Sequence, residues 1–145
     1  MNRKILFRAK CFGNWRYGSY VHFDKKPINN CCNSNYKDFI VTNGEYGEHY
    51  FPITDPSSVG QYTGLKDKNG KEIYEGDILS QGQDLLGVAC ISMRYGISVK
   101  KKTTTWALIN FVLDSDFDTS VLSDVEVVGN IYDNPELLKG GSNEA

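Results

Sequence analysis

Gln61-Tyr62-Thr63-Gly64-Leu65-Lys66-Asp67-Lys68-Asn69-Gly70-Lys71-Glu72-Ile73-Tyr74-Glu75-Gly76-Asp77-Ile78-Leu79 is the most legible stretch of the chain. Asn69-Gly70 predicts a hairpin of the type I′ kind, in which both central residues take positive φ, a region Asn and Gly tolerate best. Residues 61–65 and 72–79 then read as the two extended arms. Gly76 supplies a turn or bulge within the second arm.

On the C-terminal side, Val88 to Val99 reads as one strand, with Ala89, Ile91, Met93 and Tyr95 on one face and Cys90, Ser92 and Arg94 on the other. Thr103 to Leu113 follows, apolar on both faces and so read as buried on both. Val125 to Tyr132 alternates again. Asn134-Pro135-Glu136-Leu137-Leu138 predicts a short helix with Asn134 as cap and Pro135 in the first turn; residues 139–145 read as a disordered tail. On the N-terminal side, Ile5 to Ala9 and Trp15 to Phe23 read as strands. In the second, Trp15, Tyr17, Ser19, Val21 and Phe23 oppose Arg16, Gly18, Tyr20 and His22. Residues 25–35 form a polar turn region. Phe39-Ile40-Val41 and Tyr50-Phe51 are short strands split by Asn43-Gly44. Strands at this spacing predict a mostly β fold, a small barrel or rolled antiparallel sheet with a short C-terminal helix.

At 145 residues, 40% hydrophobic and 12% aromatic, the composition is that of one folded domain with its own core. No apolar run is long enough to span a bilayer as a helix. The opening Met1-Asn2-Arg3-Lys4-Ile5-Leu6-Phe7-Arg8 starts basic like a signal peptide, but its apolar run ends at Arg8, so a cytoplasmic protein is expected. Cys11, Cys31, Cys32 and Cys90 show neither a disulfide framework nor zinc spacing with His22 or His49, and four reduced thiols with no metal are expected. Charge is unevenly spread. Residues 1–40 hold eight Lys/Arg against two acids, and residues 103–145 hold one against eight. Such polarity fits either neighbouring chain ends or an interaction surface.

Catalytic patterns fail on spacing. Gly64 to Gly70-Lys71 has five intervening residues where a phosphate-binding loop has four, and Glu72 stands where the loop needs Ser or Thr. Asp114, Asp116 and Asp118 open like a calcium loop, but Thr119 and Val125 occupy its glycine and glutamate positions. Glu75 and Asp77, two apart in an expected strand, form a pair of carboxylates on one face, the arrangement a small hydrolase could use if burial separated their pKa values. Lys100-Lys101-Lys102, near Tyr95 and Trp106, form a candidate nucleic-acid contact.

The run from Val59 to Ile78 resembles the signature of the YopX family of phage and prophage proteins. Ile5-Leu6-Phe7-Arg8-Ala9 is similar to that family's opening strand, and residues 125–138 to its closing strand and helix. The resemblance implies a single YopX-like domain over residues 1–138, an SH3-like barrel core around residues 60–132, and an origin in a bacteriophage or integrated prophage. It implies no activity, cofactor or catalytic residue. Tyr62, Lys66, Tyr74, Glu75 and Asp77 are the candidate binding residues of the signature. Two classes of function follow: a non-catalytic binding or assembly module acting in the bacterial cytoplasm, or a small hydrolase using Glu75 and Asp77. For the module, the expected partners are a second copy of the chain or a phage or host protein, with no membrane and only weak, salt-sensitive nucleic-acid binding.

Overall fold

The computed structural model describes residues 6–24, 36–92, 96–101, 104–107, 122 and 124–138. Over these the chain is mostly β, and every strand pairing is antiparallel. The strands are β1 (Phe7–Cys11), β2 (Asn14–His22), β3 (Asp38–Gly44), β4 (Gly47–Pro52), β5 (Asp55–Lys66), β6 (Glu72–Tyr74), β7 (Asp77–Gln81), β8 (Asp84–Ser92), β9 (Gly96–Lys101), β10 (Thr104–Ala107) and β11 (Val125–Asn130). The chain divides into two compact units, Met1–Gln61 and Tyr62–Ala145.

In the first unit the strands lie in the order β4-β3-β2-β1-β5. The alternation read from β2 holds in the register. Arg8 pairs with Tyr17 and Lys10 with Trp15, so these four share one face, while Phe7, Ala9 and Cys11 share the other. That second face carries the core: Ala9, Cys11, Ile40 and Ile53 are buried, with Phe7, Phe51 and Val59 packed against them. Gly18 is required by close approach, since a Cβ there would lie 2.3 Å from the Val41 carbonyl oxygen.

The turn chemistry differs from the sequence reading in an instructive way. The two-residue turn with both φ positive is Phe12-Gly13, at 54° and 82°, joining β1 to β2. At Asn69-Gly70 only Gly70 is positive, at 85°. The loop there has three residues. Gly70 N–H donates to Asp67 O at 2.9 Å and Asp67 N–H to Lys71 O at 2.8 Å, the pattern of a type I turn followed by a left-handed glycine. The cause is Asp67, whose Oδ1 accepts both Asn69 N–H and Lys71 N–H at 2.9 Å and so draws the loop around a side chain. A Cβ on Gly70 would meet nothing within 4 Å. Gly70→Val is therefore expected to destabilise through φ alone, by about 1 kcal/mol. A thermal melt that leaves the midpoint unmoved would contradict this.

In the second unit five strands lie in the order β10-β9-β8-β7-β11, and the C-terminal half of β5 pairs with β6. Two expected strands are each two strands. The stretch expected to run from Val88 to Val99 folds back on itself as β8 and β9, with Ser92 opposite Gly96 and Cys90 opposite Ser98. Gly96, at φ 69°, opens the return strand; Met93 and Tyr95 lie outside the described residues. The stretch 72–79 breaks at Glu75-Gly76, where Gly76 has φ 93°, giving β6 and β7. Of the strand expected over 103–113, β10 is described and the rest lies outside the described residues, as do Cys31, Cys32, the acidic run 114–118, the polar region 25–35 and the tail 139–145. Leu65, Ile73, Leu79, Ala89, Val99, Leu122 and Val125 form the buried core. The strands make open sheets, and no closed barrel is formed among the described residues.

The short helix is a single turn after Pro135. Asn134 does not cap it as expected. Its Oδ1 accepts Asn130 N–H at 3.3 Å, while Asn130 Oδ1 accepts Tyr132 N–H and Asp133 N–H at 3.0 and 2.9 Å. The two asparagines thus fold the exit from β11 into a side-chain-supported turn.

Candidate functional site

The conspicuous polar residues of the central motif hold backbone. β5 and β6 pair Tyr62 with Tyr74 and Lys66 with Glu72, and the register slips between them. Gly64, at φ 87°, lies in the slip. Buried Thr63 compensates: its Oγ1 donates to Ile73 O at 2.7 Å and accepts Leu65 N–H at 3.2 Å. Asp67 is only 1% exposed. Besides the two turn bonds, its Oδ2 accepts Val127 N–H at 3.1 Å, sixty residues along the chain. Beside it Lys68 N–H donates to Val125 O at 2.8 Å. The loop after β5 is therefore clamped onto β11 by one carboxylate and one amide. Three backbone donors on a single carboxylate satisfy a buried charge that would otherwise be costly.

Asp77, 2% exposed, accepts Tyr74 N–H on its Oδ2 at 2.8 Å, spanning the Glu75-Gly76 turn. Gly76 N–H donates to Ala89 O and Ile131 N–H to Gly76 O, at 2.9 and 3.0 Å. A Cβ on Gly76 would lie 3.0 Å from the Tyr132 ring. Glu75 and Asp77 thus do not project from one face of one strand, as the sequence suggested: Glu75 sits in the turn and Asp77 begins β7. Of the other signature residues, Tyr62 and Tyr74 are buried with ring centroids 5.5 Å apart, and Lys66 is half-buried. Lys100 and Lys101 are exposed on β9, with Lys101 Nζ 3.3 Å from Leu85 O. Lys102 lies outside the described residues, as does the Trp106 side chain.

The remaining chemistry-bearing groups are modest. Among the described residues, no group of three His, Cys, Asp or Glu could hold a metal ion, and no helix is long and apolar enough to cross a membrane. Cys11 and Cys90 are free thiols. Burial raises both pKa values, partly opposed by Arg16 at Cys11 and by Lys100 at Cys90. Native protein should therefore react slowly with a thiol reagent at these positions, and protein from a reducing cytosol, denatured without added reductant and protected from air, should titrate as four thiols. Fast native labelling of Cys11 or Cys90 would contradict the first expectation, and a count below four the second.

On the first unit, Asp38 Oδ1 takes bonds from Tyr20 Oη and His22 Nδ1, each at 2.6 Å, and Asp24 lies 3.5 Å from His22 Nε2. Those donors hold the Asp38 pKa below its ordinary value, Tyr20 first and His22 second, and Asp38 in turn raises that of Tyr20. A lowered carboxylate pKa adds stability that is present above the unfolded value and is lost as pH falls through the native one. The group is exposed, so the contribution is small.

The sequence offered Trp15, Tyr17 and Tyr46 as candidate surface aromatics of this unit, and the structure exposes a wider set. Phe12, Tyr17, Tyr20, Tyr46 and Tyr50 are exposed large side chains, Tyr46 at 90% and Phe12 at 65%, whereas among the described residues of the second unit the exposed large side chains are the aliphatic Ile91, Val128 and Leu137. The alternating pattern of β2 was the available signal. It fixed which residues share a face but not which face lacks cover.

A two-unit, mostly β protein whose diagnostic residues form a backbone clamp is thereby defined. The chain belongs to the YopX family: the family model described as YopX protein matches residues 6–139. The chain is also similar to a solved structure, the crystal structure of protein EF1440 from Enterococcus faecalis, at 24% identity over 94% of this chain and 99% of that one, with a TM-score of 0.39. No curated protein matches it.

Proposed function

We propose that this protein is a non-catalytic binding or assembly module of a phage or prophage, acting in the bacterial cytoplasm. The observation that carries this reading is the Asp67 clamp. The acid at the centre of the most distinctive motif is buried, and both its oxygens are engaged by backbone N–H groups, which suits a scaffold better than a reacting carboxylate. The aromatic exposure on the first unit supports a surface that meets a partner. In the second unit, β7 to β10 meander and β11 returns beside β7. We read this as an SH3-like roll, a fold that serves many unrelated binding roles, so the analogy bears on fold and not on partner.

Partners under this reading are a second copy of the chain or a phage or host protein. The test is affinity capture from prophage-bearing cells, with and without nuclease, beside light scattering of the purified protein at low and high salt. A defined partner or oligomer that survives the Glu75→Gln, Asp77→Asn double variant supports the module. Hydrolytic turnover abolished by that double variant would replace it with the enzyme reading.

A further inference from the structure

We propose that Asn43 is a site of self-modification, at which the side-chain amide is converted to a carboxylate with His49 taking the proton that the reaction must remove. The chemistry does not depend on what the protein binds. Asn-Gly occurs twice in the chain, at Asn43-Gly44 and Asn69-Gly70. In this dipeptide the following amide nitrogen reaches the Asn side chain easily, because glycine has no Cβ in the way and a permissive backbone. The two copies differ in how they are held. Gly70 N–H donates to Asp67 O and Asn69 N–H to Asp67 Oδ1, and Asp67 is buried, so bringing Asn69 onto Gly70 requires the clamp to open. Asn43-Gly44 lies at the end of the β3–β4 hairpin, where Gly44 pairs with Gly47 around Glu45-Tyr46 and residues 43–50 are all exposed. Ile53 N–H donates to Asp38 O, which fixes the alternation of this ladder, so the Gly44 N–H bonds Gly47 O in the last rung. A terminal rung on an exposed hairpin opens locally at little cost.

The register places the reacting groups. Asn43 lies opposite Glu48 and Thr42 opposite His49, so Asn43 and Glu48 share one face of the sheet and Gly44 and His49 the other. A Cβ on Gly44 would stand 2.5 Å from both Cδ2 and Nε2 of His49, so the imidazole lies directly against the Gly44 backbone. The Gly44 amide nitrogen thus sits between the side-chain carbonyl carbon it attacks and a base. A bond forms from Gly44 N to Asn43 Cγ while His49 accepts the N–H proton and passes it to the leaving nitrogen. The Cγ–Nδ2 bond breaks, ammonia departs and a cyclic imide remains. Water then opens the imide, at one carbonyl to aspartate and at the other to isoaspartate. Aspartate sets a carboxylate directly across from Glu48, a like-charged pair that weakens the hold of β3 on β4. Isoaspartate adds a methylene to the backbone and breaks the alternation of β3.

The full chain is incubated at mildly alkaline pH, both folded and in urea. Each Asn-Gly peptide is followed by mass-spectrometric mapping, with enzymatic methylation to report isoaspartate. In urea the two sites should convert at similar rates, since the same dipeptide is then free at both. In the folded protein Asn43 should convert about tenfold faster than Asn69 or more, because the hairpin end opens more readily than the clamped loop. His49→Phe keeps a ring over Gly44 and removes the base. It should slow Asn43 severalfold in the folded protein and match wild type in urea. Hydrogen exchange at Gly44 checks that the hairpin opens equally in both proteins; where Phe alters that opening, His49→Gln takes its place. Three results would overturn the proposal: Asn69 converting as fast as Asn43 in the folded protein; Asn43 staying intact in the folded protein over many half-lives of its conversion in urea; or the folded His49 variant converting Asn43 at the wild-type rate.

Discussion

Asp67→Ala lowers the unfolding free energy by roughly 3 kcal/mol or more, the largest single-residue effect expected of a polar side chain in this protein. Three backbone N–H groups lose a charged acceptor at once. Those of Asn69 and Lys71, on exposed residues, can turn to water in part. That of Val127, on β11 over the core, recovers less. Asp67→Asn separates charge from shape. Its amide keeps one acceptor oxygen and sets an NH2 group against backbone donors, so it should lie near the alanine variant and well below wild type. Urea unfolding measures both, and hydrogen exchange at Val127 reports the clamp directly. Full retention of stability in Asp67→Asn would mean that the clamp does not depend on a carboxylate.

Gly87→Ala is expected to cost about 3 kcal/mol or to prevent folding of the second unit. Gly87 lies in β8 at φ 139°, a region open to glycine and hardly to any other residue. The space is closed as well: a Cβ would stand 2.5 Å from Lys100 O and 2.8 Å from Lys100 C, both backbone atoms of the neighbouring strand. Neither atom can move without breaking the pairing of β8 with β9, the ladder that joins Val88 to Lys100. Gly82→Ala is the matched control. It shares a positive φ, 63°, but meets nothing within 4 Å, and should cost about 1 kcal/mol. Equal midpoints for the two variants in a thermal melt would show that contact with Lys100 contributes nothing.

Much of the fold was legible because alternation is a local signal. The faces of β2 and most of β11 follow from residues two apart, whereas the split of β3 from β4 was read from Asn43-Gly44, which the structure pairs with Glu48 and Gly47 as the last rungs before a turn at Glu45-Tyr46. The β8–β9 reversal was not legible. The run from Val88 to Val99 has no Pro and no Asn-Gly; its only punctuation is Gly96, and a lone glycine fits a bulge within one strand as well as a turn between two. Asn69-Gly70 misled for the opposite reason. The dipeptide is a strong turn signal, but the type of turn is set by Asp67, whose side chain reaches across the loop. The candidate site was legible only in part. Glu75 and Asp77 lie two apart in sequence, yet what each touches depends on β7 and on the Gly76 turn. The role of Asp67 could not be read locally at all, because one of its three donors comes from Val127.

That separation has a consequence for the order in which the chain acquires structure. The strands of the first unit from β1 to β4 are joined in sequence as successive hairpins, so each pairing closes a loop within reach of a chain still being synthesised. The second unit differs. β11 docks beside β7 only after the intervening residues 82–124, and the Asp67 carboxylate finds its Val127 donor only then. Until that late event the outer side of β7 has no neighbour and the loop after β5 has no anchor. The first unit can therefore be complete while the second is still an open meander. Asp67 acts as a latch that closes last, and weakening it should chiefly speed unfolding while leaving the rate of folding nearly unchanged.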